Sequence, residues 1–118
     1  MRFFMSMLEQ LNARDFHHVL EQRRGVSLII FSHDLCSSCR AWKQLLQTYI
    51  QDRPDIRVYE VNAETEMALT NEFEVFHLPA LFLYKDGKFH AAVQCAARLE
   101  ALDATIASLL QAQAMDMP

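Results

Sequence analysis

Two cysteines three positions apart, in Leu35-Cys36-Ser37-Ser38-Cys39, are the residues of this chain best suited to covalent chemistry. Such a pair can close and open a disulfide, or it can form half of a thiolate site for zinc or an iron–sulfur cluster. A structural zinc usually takes four ligands. The sequence offers no second Cys-x-x-Cys and no His-x-x-x-His, and its one other thiol is Cys95. The dithiol reading therefore leads, with no metal and no cofactor expected beyond a Cys36–Cys39 disulfide.

The elements around the pair decide what it can do. Val26-Ser27-Leu28-Ile29-Ile30-Phe31 is a nearly unbroken apolar run rich in β-branched residues, the pattern of a strand covered on both faces. After the cysteines, Trp42, Leu45, Leu46, Tyr49 and Ile50 recur at helical spacing until the polar break at Pro54. The pair thus falls between a buried strand and the first turn of a helix. Spacing i, i+3 at that place brings the two Cα atoms within about 5 to 6 Å, a range that a disulfide accepts. The first cysteine faces unpaired N–H groups and the positive end of the helix dipole, which favour thiolate and pull its pKa down from about 8.5. Cys36 is accordingly the expected nucleophile. Cys39, one turn inside the helix, is the expected resolving thiol.

The rest of the chain supplies one mixed sheet. Asn12, followed three residues on by Asp15, reads as a helix start, with Phe16, Val19 and Leu20 as the apolar face and Arg23-Arg24-Gly25 as the end. Residues 5–11 read as an edge strand or an extension of that helix. Residues 56–61 read as a second strand and residues 64–74 as a short helix carrying Leu69 and Phe73. The apolar runs 81–84 and 89–93 flank Lys85-Asp86-Gly87-Lys88, a hairpin signal because the Asp-Gly turn needs positive φ. Leu99, Leu102, Ile106, Leu109 and Leu110 form the stripe of a last helix. The order (β)αβαβαββα predicts an α/β domain spanning residues 1–118, helices on both faces of the sheet, with fraying over about 112–118.

Composition narrows the function. Apolar residues make up 52% of the 118 and charged residues 22%, which fits an ordered globular domain. A net charge of −4 with scattered Lys and Arg gives no basic stripe for nucleic acid. The opening apolar stretch is short and reaches Glu9 too soon for a signal peptide, and no run approaches a membrane span. The expected setting is a reducing cytoplasm without membrane attachment. With only Gly25 and Gly87, glycine-rich phosphate loops are ruled out.

This layout resembles the thioredoxin family over nearly the whole chain. The resemblance rests on Phe31 to Cys39, Leu78-Pro79 some forty residues later, Lys85-Asp86-Gly87 and the last amphipathic helix. It implies a thioredoxin-like three-layer α/β/α sandwich with a central mixed sheet. It also implies a cis Pro79 beside the cysteine pair, Leu78 offering backbone hydrogen bonds to an extended substrate, and Leu35 at the position of the family's tryptophan. Cys95 falls at the family's glycine on the far wall of the substrate groove, either as a third redox thiol or as a small buried residue. Ile30 replaces the family's buried aspartate. Glu60, on the neighbouring strand where the family has lysine, is expected either to be partly buried, raised in pKa by desolvation and able to accept the Cys39 proton, or to reach solvent at the strand end. The function implied is that of a monomeric thiol-disulfide oxidoreductase, with protein disulfides as substrates and a cellular thiol reductant or reductase as partner. The alternative is a redox-sensing or chaperone-like binding module on the same fold.

Overall fold

Strands and helices alternate along the chain in the computed structural model, which describes residues 8–118. In order they are β1 (Glu9–Gln10), α1 (Phe16–Glu21), β2 (Val26–Ser32), α2 (Ser37–Asp52), β3 (Ile56–Asn62), α3 (Met67–Glu72), β4 (Ala80–Lys85), β5 (Lys88–Val93) and α4 (Leu99–Gln111). The sheet runs β1-β3-β2-β4-β5, with β1, β3 and β2 parallel to one another and β4 and β5 antiparallel to their neighbours. The central strand β2 has a partner on each side and helices over each face, so its side chains from Ser27 onward are all buried. That is why its sequence is a continuous apolar run and not an alternating one.

Alternation along the strands divides the core in two. Leu28, Ile30, Ile56, Val58, Leu81 and Leu83 meet Leu46 and Tyr49 of α2 and Leu102 and Ile106 of α4. On the opposite face, Ile29, Phe31, Tyr59, Val61, Phe82 and Tyr84 meet Phe16 and Leu20 of α1 and Leu69 and Phe73 of the α3 region. The result is the expected three-layer α/β/α sandwich. At the far end of α2, Arg53 Nη1 bonds Asp103 Oδ1 at 2.9 Å, tying α2 to α4. Tyr49 Oη also donates to Asp103, and burial, aided by this bond, pushes the phenol pKa up.

Several boundaries differ from expectation. Asn12 is not the N-cap of α1. Its Oδ1 accepts from Asp15 N at 2.9 Å and its carbonyl from Phe16 N at 3.0 Å, so it shapes a turn and the helix begins four residues later. The edge strand shrinks to Glu9–Gln10, with Leu8 and Leu11 buried at its ends; the part of that expectation covering residues 5–7 lies outside the described residues. The third helix begins at Met67, because residues 63–66 form a turn over Asn62, whose Oδ1 accepts from Glu64 N. The hairpin is as expected: Asp86 and Gly87 take φ of 52° and 83°, and Lys85 pairs with Lys88.

Candidate active site

Cys36 is the N-cap of α2 in extended conformation, and its Sγ accepts the Cys39 backbone N–H at 3.2 Å. Four N–H groups at a helix start lack intrahelical partners, and here a sulfur takes one of them. The two cysteines are joined as a disulfide with Cα atoms 5.2 Å apart. Cys36 is half-buried, whereas Cys39 is fully buried. That asymmetry assigns the reachable sulfur to Cys36. Ser38 Oγ lies 3.3 Å from Cys36 Sγ, close enough for its hydroxyl to donate.

The Leu78–Pro79 bond is cis, and the Leu78 carbonyl oxygen stands 4.0 Å from Cys36 Sγ. The structure therefore brings Cys36, Cys39, Leu78 and Pro79 together. Leu35, beside the nucleophile, is 86% exposed. Phe76, two residues before Leu78, is 83% exposed, and a single aromatic in a loop carries no periodic signal in the sequence. Cys95 is partly buried and packs against the core on the α2 side, as a small apolar residue does. His33 is engaged locally: its Nδ1 accepts from Leu35 N and its Nε2 faces Glu64 Oε2 at 3.3 Å. Arg40 donates to the Asp34 carbonyl.

Beneath the turn, Glu60 lies on the same sheet face as Ile56 and Val58, in register with Ile30. It is buried and does not reach solvent at the strand end, but its pKa moves opposite to the expected rise. Burial, the largest single influence, pushes it up; hydrogen bonds from Lys43, Ser32 and Gln10 and the Lys43 charge together outweigh burial and hold it below the ordinary carboxylate value. Lys43 Nζ donates to Oε2 at 2.8 Å, Ser32 Oγ to Oε2 at 2.6 Å and Gln10 Nε2 to Oε1 at 2.6 Å. The expectation of a raised pKa is thus corrected. Two of the three donors had a sequence signal: Lys43 follows Cys39 by one helical turn, and Ser32 follows Ile30 by one strand repeat. Gln10 depends on the β1–β3 pairing and had none.

Among the described residues no group of three or more His, Cys, Asp or Glu is arranged to hold a metal, and no helix is long and apolar enough to cross a membrane. Fold and site together define a class: an α/β sandwich with a disulfide capping a helix and a cis-proline loop against its outer sulfur.

The thioredoxin family model matches residues 7–108, and the chain belongs to the thioredoxin family. It is similar to a thioredoxin of Chlamydia pneumoniae, 28% identical over 69 residues that cover 58% of this chain and 68% of the relative. Among solved structures, Chlamydomonas reinhardtii thioredoxin f2 superposes with a TM-score of 0.72 at 26% identity, covering 88% of this chain and 94% of that one. Oxidised mitochondrial thioredoxin 3 of Saccharomyces cerevisiae superposes with a TM-score of 0.74 at 24% identity, covering 86% and 94%. The family fold and the Cys36–Cys39 disulfide support oxidoreductase chemistry in general terms.

Proposed function

We propose that the protein exchanges disulfides with polypeptide substrates, Cys36 attacking and Cys39 resolving. The observation that carries this is the half-buried Cys36 Sγ, which accepts the Cys39 N–H at the start of α2 and faces the Leu78 carbonyl. In the reduced protein the Cys36 thiolate attacks one sulfur of a substrate disulfide; the Cys36–substrate bond forms and the second substrate sulfur leaves as thiolate. Cys39 then loses its proton and attacks Cys36 Sγ, which closes the Cys36–Cys39 disulfide and expels the first substrate sulfur. The substrate gains two electrons and the protein loses two. A cellular thiol reductant or reductase restores the dithiol, and the cytoplasm is the setting that supplies one. Substrate backbone docks along Leu78, with Leu35 against its side chains.

Glu60 was expected to take the Cys39 proton. Its depressed pKa makes it a weak base, so the proposed part for it is to fix Lys43, whose ammonium on the Cys39 side of α2 supports the thiolate that Cys39 becomes. Ile30, fully buried and apolar where the family has aspartate, favours a second reading, a redox-sensing binding module with little turnover. Insulin reduction by dithiothreitol-primed protein separates the two. Turnover well above that of Cys36→Ser is expected, and turnover equal to the mutant's would leave the binding module.

A further inference from the structure

Beyond Gln111 the chain has neither helix nor strand, yet it is held at two points. Met115 N donates to the His90 carbonyl at 2.7 Å, and Pro118 lines a cavity of about 350 Å³ together with Phe73, Val75, Phe76, Pro79 and Val93. The first point lies on β5, the last strand in the sheet order, which has one strand neighbour among the described residues. An edge of that kind presents unpaired backbone groups that accept an extended chain. His90 is where the edge is irregular: pairing passes from Leu83↔Ala91 to Tyr84↔Phe89 and leaves His90 out of register. The buried His90 ring also donates from Nε2 to the Leu109 carbonyl at 2.6 Å. One residue thus secures both the last turn of α4 and the segment that follows it.

The second point lies beside the cis-proline loop. Its walls are largely apolar, and segment 112–118, Ala-Gln-Ala-Met-Asp-Met-Pro, has a matching composition with one charge. Met115 and Met117 remain 52% and 42% exposed, so the segment lies against the surface without being sunk into a core.

We propose that segment 112–118 is a ligand in cis: it lies on the β5 edge at His90 and walls the cavity beside Pro79, and so excludes other polypeptide from that groove. The inference rests on the proposed function in one respect, that the excluded polypeptide is the disulfide substrate. A short tether gives an effective concentration of about millimolar, so occupancy weakens a competitor by one plus that concentration over the intrinsic dissociation constant, about 2- to 10-fold for a segment binding at 0.1 to 1 mM.

The test compares the full chain with one lacking residues 113–118 and with full-length Met115→Pro, which removes the bonded N–H without shortening the chain. A synthetic peptide of sequence 112–118 is titrated into each and followed by backbone amide NMR. Both variants should bind it about 2- to 10-fold more tightly than the full chain, with shifts at Phe76, Ala92 and Gln94. Equal affinity across the three proteins, or no binding to either variant, overturns the proposal. With oxidised insulin, both variants should show KM lowered by the same factor at unchanged kcat, while reaction with a small aromatic disulfide stays constant. An unchanged KM in active protein overturns the competition. If no protein reduces insulin, the functional reading fails and the peptide titration alone decides the cis ligand.

Discussion

At Glu60 loss of water favours the neutral acid, and three donors plus an ammonium reverse the outcome. The sign of the pH effect follows. A carboxyl whose folded pKa lies below its unfolded value stabilises the protein above the ordinary carboxylate range, about pH 4.3, and that stability is lost as pH falls through the folded value. Glu60→Gln should cost about 1 to 3 kcal/mol at pH 7 by urea unfolding, with the gap to the parent closing on acidification. Lys43→Met removes one donor and the charge while burial remains, so the Glu60 carboxyl should titrate above the ordinary range in carbon-13 NMR. A pKa still depressed in Lys43→Met would show that Ser32 and Gln10 suffice. Cys36 and Cys39 were legible because their chemistry is local, set by three residues and a helix start. The direction of the Glu60 shift was not, because it depends on donors contributed by β1, β2 and α2.

The hairpin between β4 and β5 shows the same contrast between local and distant causes at the level of elements. Its turn was readable because Asp86-Gly87 between apolar runs needs left-handed backbone, and both residues adopt it. What the turn touches was not readable. A Cβ on Gly87 would stand 2.5 Å from the Glu21 carbonyl oxygen at the end of α1, whereas one on Gly25, also at positive φ, would find nothing nearer than Asp55 O at 3.9 Å. Gly25→Ala should therefore cost only the backbone strain, about 1 to 2 kcal/mol. Gly87→Ala adds an overlap with backbone that must move α1 or the turn, and about 1 to 3 kcal/mol more is expected. Thermal unfolding of the two variants side by side checks the order; equal losses would mean that the hairpin yields without strain. The long apolar runs and amphipathic stripes gave away β2, α2 and α4, where burial imposes periodicity over many residues. The two-residue β1 carries no such pattern, and α1 starts late because Asn12 spends its hydrogen bonds on a turn.

Across the whole molecule the sheet separates a face that carries the dithiol helix from a face filled by aromatic rings. Phe16 sits in the second face, fully buried, with ring centroids 5.2 Å from Phe73 and 6.1 Å from Tyr84. Cys39, Lys43 and Glu60 belong to the first, above the aliphatic cluster of Ile30, Leu46 and Leu102. If the sheet is a rigid partition, loosening one layer should lower global stability without disturbing chemistry in the other. Phe16→Leu keeps an apolar side chain but gives up its edge contacts, and should cost about 1 to 3 kcal/mol in urea unfolding. The second-order rate of Cys36 with a small aromatic disulfide, measured far from the unfolding transition, should stay within about a factor of two, a barrier change near 0.4 kcal/mol. A larger change would mean that packing under α1 reaches the N-terminus of α2 through β2, whose Ile29 and Phe31 face one layer while Leu28 and Ile30 face the other.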